Sequence, residues 1–193
     1  MSKTTIIVVV VILLFGAYGC STYNGLVGKD ETVNSAWAKV QTQYQRRADL
    51  IPNLVNTVKG AADFEKSTLS AVMEARSKAT SINLTAEQLT PENIQKFQAA
   101  QDQLSGTLSR LLAVSENYPN LKANQNFLDL QAQLEGTENR ISIARNDFND
   151  VVKEYNQSVR TFPTALFAGM FGFQQKGYFE ASQSSQTAPT VKF

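Results

Sequence analysis

Three charged side chains stand where the spacing of this chain demands apolar ones: Arg47, Glu138 and Arg145. Steps of four and three place Val33, Trp37, Val40, Tyr44, Arg47, Ile51, Leu54 and Val58 on one helical seam. The same steps align Leu134, Glu138, Ile141, Arg145, Phe148, Val152, Tyr155 and Val159 on another. An arginine keeps its charge in any protein interior, so a buried one needs a carboxylate or several carbonyls. Glu138, or else Glu135, is therefore expected to pair with Arg47 or Arg145 across packed helices. Such ions can fix helix register and orientation, can reach from the seam edge into water, or can hold an anionic ligand inside the bundle. Register is the leading reading, because placement in a fold rarely identifies a site.

Bond-breaking chemistry has little to work with. There is no histidine, which removes the commonest general base and metal ligand. Cys20 is the single cysteine, so disulfides within the chain, zinc–thiolate clusters and Cys–His dyads are excluded. Asp49 with Glu138 would be an acid pair, yet no pattern marks a nucleophile, an oxyanion hole or a phosphate loop. Eighteen basic residues against seventeen acidic ones give no basic surplus for nucleic acid. The reading is a non-enzyme without cofactor, metal or nucleic-acid partner.

The elements that must position the ions follow from the same periodicity. Met1-Ser2-Lys3 precedes an uncharged apolar run, Ile6 to Cys20, that reads as an export signal or signal anchor. A spanning helix wants about 20 apolar residues, which Ser21 to Leu26 would supply, with Tyr18 and Tyr23 at headgroup depth. Ala17-Tyr18-Gly19-Cys20 also resembles a bacterial lipoprotein box, which makes Cys20 a lipidation candidate; the alternative is an uncleaved anchor. Either way the chain is tethered to a membrane, and Lys3 favours the bundle outside.

Asp30-Glu31 supply negative charge for a helix start. Pro52 inside the first seam removes a backbone donor and should kink or weaken the helix, with Asn53 and Asn56 placed to satisfy the freed carbonyl. Gly60 either bends one long helix or ends it, and Ala61, Ala62, Phe64, Leu69, Val72, Ala75 and Ala79 continue an apolar face near Glu65 and Arg76. Residues 80–90 read as a loop with one helical turn. Thr90-Pro91-Glu92 start a helix whose seam is Ile94, Phe97, Gln101, Leu104, Leu108 and Leu111. After the breaker Asn117-Tyr118-Pro119-Asn120, a last helix runs from about Asn124 to Arg160. The short link makes these two helices antiparallel neighbours. The stretch Ala165–Phe173 reads as a flap over one end of the bundle or as a patch meeting lipid or a partner. The expected core includes Trp37, Tyr44, Ile51, Leu54, Leu104, Leu108, Ile141, Phe148 and Tyr155.

Three blocks carry a family resemblance. QRRADLIPNLVNTVKG, preceded by Tyr23-Asn24-Gly25-Leu26-Val27 and Ala36-Trp37, resembles the signature of the LemA family. EGTENRISIARNDFNDVVKEYN, with Glu135-Gly136-Thr137-Glu138-Asn139 and Ala144-Arg145, is similar to a second block of that family. FPTALFAGMFGF followed by Tyr178-Phe179-Glu180 is similar to its end. The resemblance spans Tyr23 to Glu180 and implies a membrane-anchored bacterial helical bundle with no common reaction. Cys20 departs from the plain signal anchor of most relatives.

Together these readings predict an all-α, antiparallel LemA-like helical bundle of three to four long helices, tethered by an N-terminal hydrophobic helix. The expected organisation is an anchor or lipoprotein signal over 1–22, the bundle over 23–180 and a disordered polar tail over 181–193. The expected role is a scaffold or interaction protein of the bacterial cell envelope, binding protein partners or itself, with the bundle extracytoplasmic. The alternative is a ligand-binding or sensor module built on Arg47, Glu138 and Arg145.

Overall fold

The computed structural model describes residues 2–60 and 65–180. The helices are α1 (Lys3–Lys59), α2 (Lys66–Ser81), α3 (Pro91–Ser115), α4 (Pro119–Lys122), α5 (Gln125–Arg160) and α6 (Thr164–Phe171), with one 3-10 turn at Ala86–Gln88. No strand occurs among the described residues, and the protein is an all-α bundle. Ala61, Ala62, Phe64 and the tail expected over 181–193 lie outside the described residues.

α1 has 57 residues, a rod of roughly 85 Å at 1.5 Å per residue. Ser2 caps it, its hydroxyl accepting from the Thr5 amide at 3.3 Å. The helix start expected at Asp30-Glu31 is absent, because the helix arrives from the apolar segment already formed and carries these acids in its middle. The helix also continues through Pro52 and stops before Gly60, so the first run is two helices, α1 and α2. Thr90 caps α3 by accepting from the Asn93 amide at 3.3 Å, and Asn124 caps α5 by accepting from the Phe127 amide at 3.2 Å. The first start stands where its capping residue placed it, and the second at the boundary expected near Asn124.

The bundle is two antiparallel pairs. α1 packs chiefly on α5, and α2 chiefly on α3. α3 and α5 still meet in the aliphatic core, where Leu104 and Leu108 share a cluster with Phe127 and Leu134. A strap, residues 173–180, leaves α6 without helical structure and fastens to both: Gln98 of α3 and Asn149 and Asn156 of α5 bond its backbone.

All eight seam residues of α1 from Val33 to Val58 are buried, as are the six of α3. The nine expected core residues named above are all buried. The core divides in two. The half nearer the apolar end is aromatic, built on Trp37, Tyr44, Phe97, Phe148, Tyr155 and Phe179. The far half is aliphatic, built on Ile51, Leu54, Val58, Leu104, Leu108 and Leu134. A fully buried side chain of this kind contributes about 1.5–3 kcal/mol, so both halves are strong enough to hold a polar layer between them.

Candidate functional site

That layer is centred on Arg47, one turn beyond Tyr44 and one before Ile51 on α1. Arg47 is 1% exposed. Its Nη1 donates to Glu138 Oε1 and to Ser105 Oγ, both at 2.7 Å. Its Nη2 donates to the Gln101 side-chain oxygen and, at 3.4 Å, to the Gln101 carbonyl. The guanidinium also lies 5.1 Å from the Tyr44 ring centre, a distance at which a cation is drawn to the ring face. Gln101 donates its amide to Ala79 O at 3.2 Å, so four helices meet in one plane: α1, α2, α3 and α5.

The ion pair is asymmetric. The Glu138 side chain is 43% exposed while that of Arg47 is 1% exposed, so the carboxylate keeps water that the guanidinium has lost. Arg47 Nε is buried without a hydrogen-bond partner. Burial pushes the Tyr44 hydroxyl above its ordinary value, against the opposing pull of Arg145 and Arg47. Beside this layer opens a cleft of about 180 Å³ lined by Tyr44, Gln101 and Leu104 among others. The layer can hold charge in a fixed plane; it offers no nucleophile.

Arg145 does not join it. Its Nη2 donates to the Glu180 carbonyl at 3.0 Å, and its guanidinium covers the Phe179 ring at 4.7 Å. The strap, not Glu138 or Glu135, meets the Arg145 guanidinium. Glu135 is exposed and accepts from Gln131 at 3.1 Å. Asn53 and Asn56 are exposed too, and the carbonyl freed by Pro52 is taken by Arg76, whose Nε donates to Ala48 O at 2.7 Å.

Sequence reasoning missed the strap's clasp. Asn156 both donates to Lys176 O at 2.8 Å and accepts from its amide at 2.9 Å. Asn149 does the same to Phe179 at 2.8 and 2.9 Å, and Gln98 to Glu180 at 2.9 and 3.0 Å. Lys176 pairs with Asp30 at 2.8 Å and donates to Ala86 O at 3.0 Å. The one available signal was Asn149 and Asn156 seven residues apart, each following a seam aromatic. No group of three His, Cys, Asp or Glu among the described residues could hold a metal.

At the apolar end, Ile6 to Phe15 are exposed, and this part of α1 is long and apolar enough to cross a membrane. Cys20 is exposed and free. α6 lies beside this segment: Phe167 stacks near Phe15 and Tyr18, with ring centres 4.8 and 5.5 Å away. A Cβ on Gly19 would come within 2.9 Å of the Phe167 ring.

The geometry defines a helical bundle whose first helix is compatible with a membrane anchor. The LemA family profile matches residues 36–193, and the chain belongs to the LemA family. It is similar to magnetosome protein MamQ 2 of Paramagnetospirillum magneticum, 26% identical over 94% of this chain and 73% of that protein. It is similar to protein LemA of Metamycoplasma hominis, 25% identical over 83% of this chain and 69% of that one. MamQ of Magnetospirillum gryphiswaldense is 25% identical over 86% of this chain and 67% of its own length.

Proposed function

We propose that this protein is a non-enzymatic, membrane-anchored scaffold of the bacterial envelope, with residues 1–22 as anchor and 23–180 as an extracytoplasmic bundle that binds envelope proteins or a second copy of itself. The observation that carries the reading is α1, unbroken from Lys3 to Lys59. A helix without a linker couples the bundle rigidly to the apolar segment, so the bundle's outer faces are held at a set angle to the bilayer. The anchor is retained rather than cleaved before Cys20. Phe15, Tyr18 and Gly19 seat Phe167, and cleavage would strip α6 of all three. Mass measured in mild detergent, with crosslinking in cells, tests the reading. Oligomers or captured envelope proteins are expected, and a strict monomer with no captured partner contradicts it.

One observation favours a second reading as a ligand-binding or sensor module. The buried, unpartnered Nε of Arg47 lies in the layer that borders the cleft beside Tyr44 and Gln101. An anionic ligand would be the fitting class. Arg47→Met separates the readings, since a ligand site would lose a measurable binding signal while a structural layer would change stability alone.

A further inference from the structure

α6 carries two apolar faces, and only one of them is covered. Phe167 and Ala168 are buried, and Phe171 meets Tyr23 edge-on with ring centres 5.1 Å apart. The outer side, Leu166 and Met170 one turn apart, is 59% and 65% exposed, and Phe162, just before the helix, is 77% exposed. The contacts fix the position of this side along α1. α6 touches α1 between Phe15 and Tyr23, which lie about 21 and 9 Å along the helix from Lys29 at 1.5 Å per residue. Lys3 and Lys29 bound the uncharged stretch of α1. The immersed part of α1 therefore reaches past residue 22 to headgroups at Lys29, Tyr23 lies below the headgroups rather than at their depth, and α6 lies among acyl chains.

The chemistry of α6 agrees with that depth. No residue from Thr161 to Gln175 is charged. Backbone groups in hydrocarbon must be satisfied within the protein, and both ends of α6 are tied. At its start the Ala165 amide bonds Thr161 O at 2.8 Å and the Leu166 amide bonds Pro163 O at 3.1 Å. At its end the Phe173 amide bonds Ala168 O at 2.9 Å, as Gly172 turns at a φ of 79°.

We propose that α6 is a lipid-seated element, Leu166 and Met170 lying, with the neighbouring Phe162, in the acyl chains of the leaflet that faces the bundle. This rests on the anchored reading above. It makes the bundle grip the membrane at two points, α1 and α6, and so prevents rotation about the axis of α1.

The full chain carrying Cys20→Ser is spin-labelled singly at Leu166→Cys, Met170→Cys and, as an aqueous control on α5, Ala132→Cys. Each is reconstituted in phosphatidylcholine vesicles with a minor share of phosphatidylglycerol. Collision with oxygen and with a water-soluble nickel chelate is then measured. The expected result is an oxygen-to-nickel ratio several-fold higher at 166 and 170 than at 132. Ratios equal to the control in protein that floats with the vesicles overturn the seating of α6 and leave the anchor standing. Labels shielded from both reagents and broadened by spin–spin coupling overturn it in favour of a second copy of the chain. Protein that does not float overturns both.

Discussion

Arg76 donates its Nε–H to the carbonyl of Ala48 at 2.7 Å, and Ala48 is the residue whose carbonyl Pro52, four positions on, cannot bond. A guanidinium on α2 thus completes a defect in α1, which explains how a proline is carried inside a 57-residue helix. A hydrogen bond from a charged donor contributes about 1.5–3 kcal/mol, and Arg76→Met should lose that amount. In a Pro52→Ala background the new amide serves Ala48 O, and the loss should fall below about 1 kcal/mol. Denaturant unfolding of the four proteins checks this. Additive effects would disconnect the two residues.

The ion layer predicts an unequal pair of losses. Glu138→Ala leaves the buried Arg47 charge without its carboxylate and should cost roughly 1–3 kcal/mol, less than a fully buried pair because Glu138 is half in water. Arg47→Met lets Glu138 turn to solvent and should stay within about 1 kcal/mol of the parent. Thermal or denaturant unfolding ranks them, and a larger loss for Arg47→Met would reverse the account.

Gly177 passes so close to α3 that a Cβ would stand 2.7 Å from Pro91 Cα and 2.9 Å from Thr90 O. These are backbone atoms and cannot rotate away. Gly177→Ala should lift the strap and lose about 1–3 kcal/mol, with faster proteolysis near residue 177. Unchanged stability and unchanged cleavage would show that the strap is not held.

Alkali should loosen the aromatic half of the core. Burial, aided by Asp30, pushes the Tyr155 hydroxyl up to about 12 from an unfolded value near 10. An acid whose folded value is raised keeps its proton longer in the native state. Its contribution is complete below pH 10 and is lost as pH rises through about 12. Unfolding midpoints measured on either side of pH 10 should fall with pH, and Tyr155→Phe should flatten the fall. A slope unchanged in Tyr155→Phe would assign the loss elsewhere.

The seams of α1, α3 and α5 were legible because burial repeats every three or four residues whatever the partner. The cap Thr90 was legible for a local reason, an oxygen three residues from a free amide; Asn124 was legible only as a boundary. Arg47 with Glu138 could be read as an ion pair, since a buried charge in a seam limits its own solutions. Partner choice could not be read. α5 offers Arg145 in its seam, and nothing local says that an extended strap carrying Phe179, rather than a helix, will cover it. The three carboxamides that clasp the strap bond its backbone, and beyond the seven-residue spacing of Asn149 and Asn156 nothing in the sequence names that partner. Arg76 serves a carbonyl 28 residues away, too distant in sequence for Pro52 to announce it.

Intact mass of the protein purified from membranes tests the unbroken α1 most directly. A chain that retains residues 1–19, with Cys20 unmodified, is the predicted result. A chain that begins at Cys20 and carries a lipid on its thiol would contradict it, because Phe167 would then have lost Phe15, Tyr18 and Gly19 together.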